Sequence, residues 1–149
     1  MRNFTFRLQT PFNVVTWKEK LAKQEFKEKQ TAYDREVEIL CCNSQDLSDL
    51  SDQEREFMGC SVSAENMVAL KEYQVVLANR VRSQQVVVDQ TYLVLEETRL
   101  HLSQTVKEKK TLEKLKDKRY EQFRQECIRQ DQKVIDEAAV IGFNREQKS

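Results

Sequence analysis

In 149 residues this chain has only two glycines, Gly59 and Gly142, and one proline, Pro11. Folds with many strands, or with catalytic groups on loops, need turn-forming residues about every ten positions, and here they are almost absent. The chain is therefore expected to be all-α. Charged residues make up 34% and hydrophobic residues 39%. That balance suits long solvated helices with a narrow apolar seam rather than a thick globular core.

Twenty-five basic and 25 acidic side chains cancel, so nothing in the net charge points to a dedicated polyanion binder. Locally the balance shifts. Residues 1–30 hold seven basic and three acidic groups, residues 34–57 two and eight, and residues 103–133 ten and six. The ends are basic and the middle acidic. No run of apolar residues approaches the ~20 that span a bilayer, and the N-terminus has no apolar signal region. The expected setting is cytosolic, where Cys41, Cys42, Cys60 and Cys127 stay reduced.

Thr10-Pro11 reads as a helix start, with Thr10 as cap and Pro11 at the first helical position. Phe12, Phe26, Tyr33, Leu40 and Leu47 follow in seven-residue phase. Leu8, Val15, Ala22, Leu50 and Phe57 supply the companion series, interrupted at Glu19, Lys29 and Asn43. Val37 and Ser44 stand one residue out of phase, which predicts a drift or stutter there. The Ser- and Asp-rich run 43–52 is expected to fray, because those side chains compete for backbone hydrogen bonds. Gly59 suits a C-terminal cap, and Ser61 or Ser63 a new N-cap followed by Glu65, so the chain is expected to reverse here.

From Ala64 no breaker interrupts the chain before Gly142, an expected helix of about 115–120 Å at ~1.5 Å per residue. Leu70, Tyr73 and Leu77 lead into Val81, Val88, Leu95 and Leu102, while Gln84, Thr91, Thr98 and Thr105 make the companion series polar. Leu112, Leu115, Tyr120, Phe123, Cys127, Val134, Ala138 and Ile141 continue the spacing, and Gly142-Phe143 resembles a C-cap. The expected fold is an antiparallel two-helix coiled-coil hairpin with the second helix longer and overhanging. Its segments are an N-terminal stretch 1–10, helix one 11–57, connection 58–63, helix two 64–142 and tail 143–149. Subtracting one helix length from the other leaves 107–142 as the overhang, which holds Lys107, Lys109, Lys110, Lys114, Lys116, Lys118 and Arg119.

These residues resemble the flagellar export protein FliJ family. The likeness is carried by Phe4-Thr-Phe-Arg-Leu8 ahead of the first helix, Glu72-Tyr73-Gln74 early in the second, and Lys107 to Lys116 with Lys118-Arg119, Phe123, Gln132-Lys133 and Asp136-Glu137-Ala138. It covers essentially the whole chain. The resemblance implies a non-enzymatic component of flagellar type III protein export, peripherally associated with the cytoplasmic face of the membrane and not inserted in it. It also implies a stalk-like hairpin whose two-termini end enters the export ATPase ring, which binds the cytosolic domain of the export gate and cycles export chaperones. Phe4, Phe6, Arg7, Lys109, Lys110, Lys114, Lys118 and Arg119 fall at that ring-facing end. A gate-binding row in the family matches Tyr73, Leu77, Arg80 and Gln84 here, with Arg80 in place of a small residue and Gln84 in place of a ring.

Read without the resemblance, the same residues have plainer roles. Tyr73 and Leu77 sit in the phase that packs on helix one, where burial is the commoner fate. Phe4, Phe6 and Leu8 alternate at period two, as in a docking strand, although such a segment more often folds back on the bundle or merely frays. Lys107 to Arg119 is interleaved with Glu108, Glu113 and Asp117, as on a solvated helix face. His101 has no Cys or His three or four residues away, which argues against metal or acid–base chemistry, and no glycine loop is present to hold phosphate. No cofactor, catalytic group, metal or nucleic acid is expected. The alternative to an export component is a generic coiled-coil adaptor, or a helical module that self-associates through its uncovered arm.

Overall fold

The computed structural model describes residues 3–61 and 63–146, with side chains to residue 143. Val62 of the expected connection, residues 1–2 and the tail positions 147–149 lie outside the described residues. Two helices, α1 (Gln9–Met58) and α2 (Ala64–Glu146), account for nearly everything, and no strand occurs among the described residues. They form the expected antiparallel hairpin with the longer second helix. By packing, the chain divides into a terminal unit, residues 1–19 with 105–149, and a central unit, residues 20–104.

The helix ends differ from the sequence reading. Leu8, not Thr10, closes the first turn of α1: its carbonyl accepts the Phe12 N–H at 3.0 Å. Pro11 therefore lies inside the first turn, where its missing N–H would have had no helical partner anyway. Residues 43–52 do not fray. Helix continues to Met58, and the Ser51 hydroxyl is turned back onto the Leu47 carbonyl at 2.9 Å while Leu50 is buried. Tertiary packing outweighs local propensity here.

At the reversal Gly59 does not play the left-handed capping role, since its φ is not positive. The last turn of α1 instead tightens, with the Gly59 and Cys60 N–H groups donating to Glu56 and Phe57 carbonyls at 3.1 Å each. Ser63 is the N-cap of α2: its carbonyl takes the Met67 N–H and its hydroxyl faces the Asn66 N–H at 3.4 Å. Glu65 in the first turn complements the helix dipole. At the far end α2 passes through Gly142 to Glu146, so Gly142 does not cap it.

Within the central unit the seam is half apolar and half polar. Ala22, Leu50, Leu77, Val88 and Leu95 are buried, Leu77 most completely. The threonines of the companion series satisfy themselves: Thr91 donates to Val87 and Val88 carbonyls and Thr98 to the Leu95 carbonyl. That leaves their methyl groups for the opposite helix. Gln84 donates to both the Glu36 backbone carbonyl, at 3.1 Å, and its carboxylate, at 2.6 Å. Glu36 rather than Val37 thus faces α2, which is where the sequence placed the stutter. Tyr33 and Tyr92 rings meet at 5.9 Å.

Candidate functional site

In the terminal unit, residues 3–8 run without helix and lie against α2. Phe4 packs edge-on to Tyr120 at 5.4 Å and against Phe123 at 5.6 Å, and Phe6 is buried. A groove of about 960 Å³ lies along this strap, lined among others by Phe4, Arg7, Leu115, Arg119, Phe123 and Glu126. Of the possibilities for Phe4 and Phe6, the structure adopts the folded-back one, and these rings hold the strap against α2.

The basic residues separate into two sets. Lys109 is tied at 2.8 Å to the buried carboxylate of Glu19 and lies 3.8 Å from Glu113, and these partners raise its pKa, the Glu19 hydrogen bond most of all. Lys116 stands over the Phe12 ring at 5.2 Å, a cation–π contact. Arg7, Lys110, Lys114, Lys118 and Arg119 are exposed. These five are the accessible part of the expected ring-facing set.

The overhang is shorter than subtraction suggested. Glu19 reaches Lys109, Phe12 reaches Lys116 and Phe4 reaches Phe123, so α2 has a partner opposite it over 109–123. From residue 131 to 143 every residue is exposed, including Val134, Ile135, Val140, Ile141 and Phe143. These side chains continue the apolar spacing of α2 with no helix opposite. The sequence places Val134 and Ile141 on the expected overhang, an uncovered arm, and does not single out Ile135 or Val140. Ahead of this stretch, Glu121 has its pKa lowered by Arg124, at 3.0 Å, and then by Gln125.

In the central unit the four residues of the gate-like row divide. Leu77 is buried and Gln84 is engaged by Glu36, whereas Tyr73 and Arg80 are exposed. Burial was the commoner expectation for Tyr73; the structure leaves its side chain 52% exposed. Near the reversal, Lys71 and Gln74 both bind Glu54, and Lys71 is the leading cause of its lowered pKa.

Among the described residues no group of three or more His, Cys, Asp or Glu could hold a metal, and no helix is long and apolar enough to cross a membrane. The thiols of Cys41, Cys42 and Cys60 are exposed and that of Cys127 is half-buried, all four free. The family described as Flagellar FliJ protein matches residues 4–148. The chain belongs to the FliJ family. Membership implies a role in flagellar type III protein export, in a family of non-enzymatic export components. No curated protein and no solved structure matches the chain.

Proposed function

We propose that this chain is a stalk-like coupling component of flagellar type III export that seats its terminal unit in the export ATPase ring. The observation that carries the reading is the uncovered α2 stretch 131–143, which presents Val134, Ile135 and Ile141 in the same unit as the exposed Arg7, Lys110, Lys114, Lys118 and Arg119. A basic row followed farther along the same helix by an apolar face suits an interface in which burial supplies affinity and charge supplies orientation. The central unit remains for the export gate and for chaperones, with Tyr73 and Arg80 the accessible members of the gate row. In this reading the protein works in the cytoplasm and meets the membrane's cytoplasmic face only through the export apparatus. It contributes no active site and alters turnover by the ATPase. The test is turnover of the cognate flagellar export ATPase with and without this protein: stimulation with direct binding is expected, and neither would refute the proposal.

A further inference from the structure

α2 carries a second apolar row in the central unit, on the side away from α1. Leu77 and Leu95 each lie nine residues from Val86 and are buried. Nine residues are two and a half helical turns, so Val86 points the opposite way. Val68, Val75, Val86, Leu93 and Leu100 share that outward side at spacings of seven or eleven and are all 54–68% exposed. One exposed valine is ordinary; five large apolar side chains along one outward face, spanning about 50 Å at ~1.5 Å per residue, are not.

The residues around this row indicate what covers it. Val86 and Leu93 are placed symmetrically about the midpoint between Asp89 and Gln90, and so are Arg82 and Glu97, both exposed. A surface that meets its own copy about a two-fold axis must be self-complementary, with residue i on j and j on i. With the axis at that midpoint, two antiparallel α2 helices set Val86 against Leu93 of the second copy and Arg82 beside Glu97 of the second copy, each twice. Gln90 then faces Asp89 of the second copy as an amide donor to a carboxylate. Sliding the helices one heptad one way puts Glu97 against Asp89, two like charges; sliding them the other way puts Glu97 against Val75. Of these three registers only the first brings opposite charges together.

We infer that the outward face of α2 from Val75 to Leu100 is an interface with a second copy of this chain, formed by antiparallel pairing of central units. It leaves the terminal unit free and does not depend on the proposed ATPase contact. Sedimentation of the full chain over a concentration series tests it. A reversible dimer of micromolar dissociation constant, in the weak part of the range for interfaces of this kind, is expected. Leu93→Glu should leave monomer at all concentrations with unchanged helicity. Arg82→Glu and Glu97→Arg should each weaken the dimer roughly tenfold or more, because each reversal strikes two symmetric pairs, and the double reversal should restore it. A wild-type chain that stays monomeric at several hundred micromolar on the order of the weakest such interfaces, a dimer indifferent to Leu93→Glu, or charge reversals that fail to rescue each other would overturn the inference. Loss of the dimer on Ile135→Glu instead would move the interface to the arm and overturn it equally.

Discussion

The Lys109 ammonium lies 2.8 Å from the Glu19 carboxylate, and Glu19 is buried at a heptad position otherwise held by Phe12, Phe26 and Tyr33. An acid in an apolar series is tolerated because a cation from the opposite helix reaches it, and the pair fixes which turn of α1 meets which turn of α2. Replacing the pair with two leucines is expected to keep or raise stability while relaxing that register. Lys109→Met, which retains the aliphatic stem but removes the charge, should lower the thermal midpoint at pH 7 by a few degrees. The pKa of Lys109 is raised above its ordinary 10.5, chiefly by the Glu19 hydrogen bond. A cation favoured by folding contributes stability that is complete below the unfolded pKa and is lost as pH rises through the folded one. The midpoint difference between wild type and Lys109→Met should thus be constant from neutral pH to about 10 and close above it. A gap that closes instead on acidification would contradict this account.

Leu77 and Tyr73 are four residues apart on α2, yet one is the most buried side chain and the other is half exposed. Leu77→Ala should cost about 2–5 kcal/mol, equivalent to a fall in midpoint of roughly 5–15 °C for a chain of this size. Tyr73→Ala should stay within about 0.5 kcal/mol of wild type. Thermal melts separate the two. If Tyr73 meets the export gate, its alanine variant loses gate binding in a pull-down with stability intact, whereas Leu77→Ala loses binding only along with its fold.

The contrast shows how far the sequence could be read. Scarce glycine and proline and the seven-residue phase were enough for an antiparallel hairpin of unequal helices. Periodicity locates a seam position but not its partner, so Glu19 and Gln84 read as interruptions when each is matched across the seam, by Lys109 and by Glu36. Subtraction overstates the overhang because α1 begins at Gln9 rather than at residue 11 and residues 3–8 also lie along α2, with Phe4 reaching Phe123. The uncovered end of α2 was legible as an overhang, whereas the outward row on α2 needed exposures, which no period of a nearly continuous helix reveals.

Gly142 sits inside α2 with nothing within 4 Å of where a Cβ would stand. Gly142→Ala should therefore stabilise the local helix by about 1 kcal/mol and slow amide exchange around it, the opposite of what a left-handed cap would give. At Gly59 a Cβ would meet the Glu56 carbonyl oxygen at 3.3 Å, with φ not positive. There the entropic gain and the tight contact oppose each other, and Gly59→Ala is expected to be nearly neutral. Strong destabilisation at Gly142 would show that the helix stops before it.

Glu54 is held below its ordinary pKa of 4.5, first by the Lys71 hydrogen bond and then by Gln74. For an anion favoured by folding, the contribution is present above the unfolded pKa and lost as pH falls through the folded one. Amide exchange near the reversal should accordingly stay protected from pH 7 down to about 4.5 and weaken below it. Lys71→Met should show weaker protection at neutral pH and a smaller loss on acidification. Because Lys71 is largely exposed, 0.5 M salt should shrink the difference.

Val134 and Ile135 are both about two-thirds exposed, and no α1 residue lies opposite them. Replacing both with aspartate removes no packed contact from the terminal unit, so circular dichroism and the thermal midpoint should remain close to wild type. If this stretch enters the ATPase ring, the loss falls on binding: two charges would have to be desolvated where apolar area is now buried, at a cost of several kcal/mol, or at least a hundredfold in affinity. ATPase stimulation by the double variant should then require far more protein or vanish. Lys114→Ala and Lys118→Ala, on the neighbouring exposed row, should act mainly on the association rate and lose their effect at high salt. Unchanged stimulation by the aspartate variant would exclude the arm as the ring-facing element, even if the wild-type protein stimulates the enzyme.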